Sequence, residues 1–181
     1  MRLRKFVGDI ILFFCVDCVT FLLMCIASYP QNLTHIFVDR EYGYSIRYPD
    51  GWQARSYRSG VVLSEVNSID GKSGLQIRRV YRKGPTEDFT MGGFVENYIK
   101  DFKKDMRASL ISKNKRVIGN ISGWVLTFRG GRGNTKYLLK SYLLPTRGGY
   151  HIYIFQAGIP LDMREKIEPI LDSIADSFRL E

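Results

Sequence analysis

Period-two alternation fills most of this chain and yields to a helical period only twice, which limits the folds open to it. Tyr44, Ile46 and Tyr48 point one way while Ser45 and Arg47 point the other. Leu75, Ile77, Arg79 and Tyr81 share one face of a later run, and Trp124, Leu126 and Phe128 share a face of another. The pattern predicts strands at 35–40, 44–48, 52–57, 61–66, 75–82, 116–121, 123–129, 136–144 and 150–157. In the last of these, Ile152 and Ile154 oppose Tyr153 and Phe155, so both sides are apolar and the strand is expected at the centre of its sheet. Pro49-Asp50-Gly51 and Ile69-Asp70-Gly71-Lys72 are turns, and the short loops at 129–135 and 145–149 favour antiparallel hairpins.

The helical period first appears at 94–111. There Val95, Tyr98, Ile99, Phe102, Met106 and Leu110 recur at i, i+3 and i+4, with Glu96, Lys100, Lys103, Lys104 and Arg107 at other positions. A second helix closes the chain, with Met163, Ile167, Ile170, Leu171, Ile174 and Phe178 as its stripe. Asp162 and Glu165 have the spacing of a capping box, and Pro169 predicts a kink or a restart. Helices between and after antiparallel strands give an α+β class, an antiparallel sheet sandwiched by helices.

Ahead of this body lies an apolar segment. Arg2, Arg4 and Lys5 precede a mostly apolar stretch at 6–27, the pattern of an export signal or an uncleaved anchor, here expected as an N-terminal hydrophobic helix. The expected organisation is a signal peptide or anchor at 1–28, a linker at 29–35 and one α+β domain at 36–181. Ala27 and Cys25 supply a small-x-small cleavage site. A retained span is the second fate, and lipidation of Cys25 the third, although Met24 is bulky where a lipoprotein box wants Gly or Ala. A buried helix of a cytosolic domain is the plain alternative, but a helix apolar all round would have no polar face to show water.

Cys15, Cys18 and Cys25 all fall in that segment, and His35 and His151 are the only histidines. The body therefore lacks the usual means for a zinc site or a Cys–His or Ser–His nucleophile, and no catalytic, cofactor or metal residue is assigned. Cys15-Val-Asp-Cys18 sits in the apolar run without a second pair, so its CxxC spacing carries no redox assignment. The Gly130–Lys136 stretch lacks phosphate-loop spacing and opens a strand, so it reads as a hairpin loop. His151 lies in an apolar strand and is expected to be packed and hydrogen-bonded.

The run Tyr42-Gly-Tyr-Ser-Ile-Arg-Tyr-Pro-Asp-Gly-Trp52 resembles the opening motif of the PsbP-like superfamily, an aromatic strand ending in Tyr-Pro-x-Gly-Trp. The closing pattern is similar too: a Tyr-rich penultimate strand, then a helix ending in Ile-Ala-Asp-Ser-Phe178. The superfamily includes PsbP of photosystem II and DcrB-type exported domains. The resemblance, over residues 36–180, implies a PsbP-like α/β/α sandwich, export in bacteria, and binding or assembly without a shared active site. Tyr48, Pro49, Gly51, Trp52, Ser177 and Phe178 carry the motif and have structural explanations as turn formers and core anchors.

Charge is the remaining signal. Setting residues 1–25 aside leaves 24 Lys+Arg against 16 Asp+Glu, a balance of +8. Arg78, Arg79, Arg82 and Lys83, then Lys103, Lys104 and Arg107, then Arg129, Arg132 and Lys136 form local clusters that could meet an anionic surface. Their plain reading is a solvated surface. The expected role is a non-catalytic, exported, membrane-associated binding or assembly domain of the cell envelope, periplasmic or anchored with the domain outside the cytoplasm. Its partner would be an envelope protein or an anionic membrane surface, with no nucleic acid and no cofactor, and membrane association would run through 6–27. An envelope enzyme or small-ligand carrier with a cleft between sheet and helices is the rival, and an anionic lipid or polymer binder is the third reading. Asp17 lies near the middle of the apolar stretch, where an acid opposes insertion by roughly 3 kcal/mol. If the span is retained, Asp17→Leu should raise insertion efficiency in a glycosylation-mapping assay; unchanged or weaker insertion would contradict that assignment.

Overall fold

The computed structural model describes residues 32–57, 62–81, 90–132, 135–146 and 151–181. Five strands come first: β1 (His35–Asp39), β2 (Tyr44–Tyr48), β3 (Trp52–Ser56), β4 (Val62–Ser68) and β5 (Gly74–Tyr81). Helix α1 (Met91–Met106) precedes four longer strands, β6 (Ser109–Ile118), β7 (Ile121–Arg132), β8 (Thr135–Pro145) and β9 (His151–Pro160). A 3-10 turn at Leu161–Met163 leads into α2 (Arg164–Asp176), and β10 (Arg179–Leu180) ends the chain. Among the described residues every strand pairing is antiparallel, and two helices complete an α+β fold.

The strands form two sheets. The larger runs β3-β4-β5-β9-β8-β7-β6, and the smaller runs β1-β2-β10. β9 is the middle strand of the seven, as its two apolar sides predict. On one face of the large sheet, Val95 and Ile99 of α1 pack with Leu126, Phe128, Leu143, Ile152 and Ile154. On the other face, Tyr153, Phe155, Leu144 and Tyr142 meet Ile167, Leu171 and Ile174 of α2 and Tyr44 and Ile46 of the small sheet. The single sheet expected from the sequence is thus two. The small sheet shares the α2 side, closed by the two residues of β10, a run too short to show periodicity.

Several element boundaries differ from the expected ones. The helix predicted at 94–111 starts at Met91 and stops at Met106, because Arg107 turns left-handed (φ 47°) and Leu110 already belongs to β6. Thr90 caps it by accepting a hydrogen bond from the Gly93 amide at 3.0 Å. The strand predicted at 116–121 is interrupted by a hairpin turn at Gly119 and Asn120; Gly119 has φ 63°, which a side chain would strain. Asp162 does not cap the last helix: it lies in the 3-10 turn, Met163 occupies the cap position, and no side chain bonds there. Nor does Pro169 restart the helix. α2 runs through it unbroken from Arg164 to Asp176, with Pro169 on an exposed position.

Two devices fasten α2 to the sheet. Phe178, fully buried just beyond the helix, has its ring 5.2 Å from that of Tyr153, 4.9 Å from Phe155 and 5.6 Å from Tyr44. Beside it lies a charge network around Lys140, a buried lysine in the mostly apolar stretch 137–144 of β8. Its Nζ donates to Glu168 Oε1 at 2.9 Å and to both oxygens of Asp172 at 2.8 Å. Tyr142 also donates to Asp172, at 2.6 Å, and Arg116 bridges Asp172 and Asp176. Burial tends to raise the Glu168 pKa, but hydrogen bonds from Arg164 and Lys140 outweigh it and hold the carboxyl below its usual value.

Removing one partner of a buried pair strands the other in a poor solvent. Asp172→Ala, which deprives Lys140, Tyr142 and Arg116 at once, should lower unfolding free energy by about 3–5 kcal/mol. Phe178→Ala should cost about 3–5 kcal/mol through the cavity it leaves. Urea unfolding followed by tryptophan fluorescence measures both, and a loss under about 1 kcal/mol for either would show that the contact does not fasten the helix.

Candidate functional site

The α1 face of the large sheet is only partly covered. The helix lies over the β7–β8–β9 half, where Phe102 packs 4.5 Å from Phe128. Toward β4 and β5 the face changes from apolar to polar. Glu65 on β4 stands opposite Gln76 on β5, Gln76 opposite Gln156 on β9, and Gln156 opposite Ser141 on β8. Directly opposed residues point to the same side, so four strands lay one polar row across the sheet. One row toward the hairpin of β4 and β5 lie Asn67, Gly74, Gly158 and Leu139; one row the other way lie Arg78, Ile154 and Leu143.

The Asn67 amide packs over Gly74 in this floor. A Cβ there would stand 1.8 Å from Asn67 Oδ1, so no side chain fits without moving its neighbour. Between the strands and the last turns of α1 lies a cleft of about 760 Å³, within the size range of small-molecule sites. Its wall on the helix side is Phe102, Asp105 and Met106.

Hydrogen bonds hold the floor in place. Glu65 Oε1 accepts from Gln76 Nε2 at 2.7 Å, while its Oε2 accepts from Tyr57 at 2.8 Å and Asn67 at 3.3 Å. Gln76 Oε1 accepts from Arg78 at 3.2 Å. Gln156 Nε2 donates to the Tyr98 hydroxyl at 2.7 Å, which donates on to Ser141 Oγ at 3.0 Å. Burial pushes the Tyr98 phenol pKa up, so the hydroxyl keeps its proton and works as a relay. Arg78 is treated differently. Among the described residues no carboxylate pairs with it, and its Nε is buried without a hydrogen-bond partner. No three His, Cys, Asp or Glu side chains among the described residues gather to hold a metal ion.

Strand alternation disperses the basic clusters. Arg78 faces the cleft, whereas Arg79 lies on the other side of β5, its guanidinium 4.7 Å from the ring centroid of Tyr42. Lys103 and Lys104 occupy the last turn of α1, where cations complement the helix dipole, and Arg107 follows as its cap. Arg129 and Lys136 share the α2 face by register, and Arg129 borders a smaller cleft of about 360 Å³ beside Arg116, Lys140 and Arg164. Arg132 ends β7, while Arg82, Lys83, Cys25 and residues 6–27 lie outside the described residues. The family-motif residues sit at turns and core edges. Trp52 and Phe178 are buried, Tyr48 stacks 5.3 Å from His35, Pro49 and Gly51 make the turn into β3, and Ser177 Oγ accepts from the Arg47 amide at 2.7 Å. His151 opens β9, where burial and then Arg79 push its imidazole pKa down.

Glu65, Gln76 and Gln156 are absent from the sequence-based site. Their one local signal is in β9: Gln156 continues the phase of Ile152 and Ile154, an amide where an aliphatic side chain is due.

No family model matches the chain, and no curated protein sequence matches it. Solved structures do. Cyanobacterial PsbP from Synechocystis superposes with a TM-score of 0.59 at 19% identity, covering 81% of this chain and 92% of that one. The Ran-binding protein Mog1p of Saccharomyces cerevisiae gives 0.57 at 5% identity, covering 81% and 94%. LpqN of Mycobacterium tuberculosis, a protein involved in cell envelope biogenesis, gives 0.54 at 14% identity, covering 86% and 96%. At these identities the likeness is one of architecture, and with the antiparallel sheets and two helices described above it shows that the chain has the PsbP-like fold.

Proposed function

We propose that this chain is an exported, membrane-associated domain of the cell envelope that binds a partner or ligand without transforming it. The cleft is the observation that carries the reading. Hydrogen bonds fix its floor: Glu65 accepts from three donors, and Tyr98 of α1 relays between Gln156 and Ser141. A rigid, hydrogen-bonded surface of this kind suits recognition, because little ordering remains to oppose binding. The basic start and apolar stretch at 6–27 support delivery to a membrane, and the fold shared with an envelope biogenesis protein is in keeping with it.

The cleft also favours one rival over the other. A small-ligand carrier needs a cleft of mixed polar and apolar lining between sheet and helix, and this half-open one supplies it. The reading as a binder of extended anionic surfaces has less support, since its basic residues are divided between opposite faces.

Cell fractionation combined with mass spectrometry of the mature N-terminus tests the location. The expected result is recovery with the envelope, either beginning near residue 28 or retaining 6–27. A full-length chain found only in the soluble cytosol would overturn it.

A further inference from the structure

The cleft has a direction that its ligand must share. Helix α1 crosses the rows of the sheet in order: Tyr98 bonds into the row of Gln156 and Ser141, and Phe102 packs over Phe128, which stands opposite Leu139 in the glycine row. The end nearest the β4–β5 hairpin is therefore walled by Phe102, Met106 and Leu139, with Met106 47% exposed. The other end is Arg78, four residues along β5 from Gly74, or about 13 Å at the rise of an extended strand.

Charge separates these ends further. Arg78 carries a cation with one donor on a neutral amide and a buried Nε that has no hydrogen-bond partner among the described residues. Glu65, the floor carboxylate in the next row, is occupied by Gln76, Tyr57 and Asn67 and does not pair with it. The other carboxylate of the wall, Asp105, stands beside Met106 at the far end, where Lys72 of the β4–β5 hairpin also lines the cleft, so that end carries no excess of positive charge. A guanidinium fork matches a carboxylate in shape as well as charge. Flexible Met106 and the Phe102 ring suit an aliphatic or aromatic body.

Resting on the reading of the cleft as a binding site, we propose that it takes an organic carboxylate with an apolar tail. The carboxylate meets Arg78, the chain passes the Gln76–Gln156 pair, and the tail lies against Phe102 and Met106.

The test is calorimetric titration of octanoate into the protein in the form the cell produces, in nanodiscs if residues 6–27 remain attached. Saturable binding is expected, with neutral octanamide and tail-less acetate each at least tenfold weaker. Arg78→Gln should weaken octanoate at least tenfold, Arg78→Lys less, and Lys103→Gln not at all. Amide shifts of Gln76 and Gln156 on titration should locate the ligand. If Arg78→Gln does not fold, Arg78→Lys and the octanamide comparison decide the matter alone. Equal binding of octanoate and octanamide, or octanoate binding unchanged by loss of Arg78, would overturn the carboxylate assignment while leaving the cleft a binding site. No saturable binding of any probe, with no shifts at Gln76 or Gln156, would overturn the assignment and remove the cleft's support for the binding reading.

Discussion

Pairing between β5 and β9 is the constraint on which the rest of the molecule depends. It joins the meander of β3, β4 and β5 to the meander of β6 to β9, across a large separation in sequence. Its register does two tasks at once. It sets Leu75 and Ile77 beside Ala157 and Phe155 on the α2 side, and Gln76 and Arg78 beside Gln156 and Ile154 on the α1 side. A slip of one residue would exchange these faces, burying a guanidinium under α2 and exposing aliphatic side chains in the cleft. The penalty for that exchange specifies the cleft as firmly as the core.

Much of the architecture is legible in the residues. Strand alternation, the two helical stripes and the opposing faces of Ile152–Phe155 give the class, the helix order and the central strand. What they do not give has identifiable causes. Leu110 continues the stripe of α1 by spacing alone, yet Arg107 turns left-handed and the chain enters β6. Lys140 lies in a run of apolar residues and is matched by acids on a helix some thirty positions away, so no local pattern marks it.

The cleft was the least legible part for a related reason. Its floor takes one residue from each of four strands, and only the pairing register makes Glu65, Gln76, Gln156 and Ser141 neighbours. Clusters adjacent in sequence show the converse. Arg78 and Arg79 look like one basic patch, but a strand turns them to opposite faces, one toward a polar cleft and one onto an aromatic ring. Contiguous charge in a strand is therefore poor evidence for a contiguous surface, whereas polar residues that share a phase across paired strands are better evidence for a site.

The basic residues of β6 acquire a different meaning from their position. β6 is an outer strand of the large sheet, with backbone groups available to another chain, and Val117 and Ile111 are exposed on it. Lys113 and Lys115 hold their ammonium groups over the Trp124 ring at 5.3 and 5.2 Å, and an irregularity between Leu110 and Ser112 breaks the ladder. Like charges on a bent margin oppose the approach of an identical margin. Lys115 and the break in the ladder are features by which an outer strand resists pairing with its like, while Lys113 is also paired with Glu96 of α1.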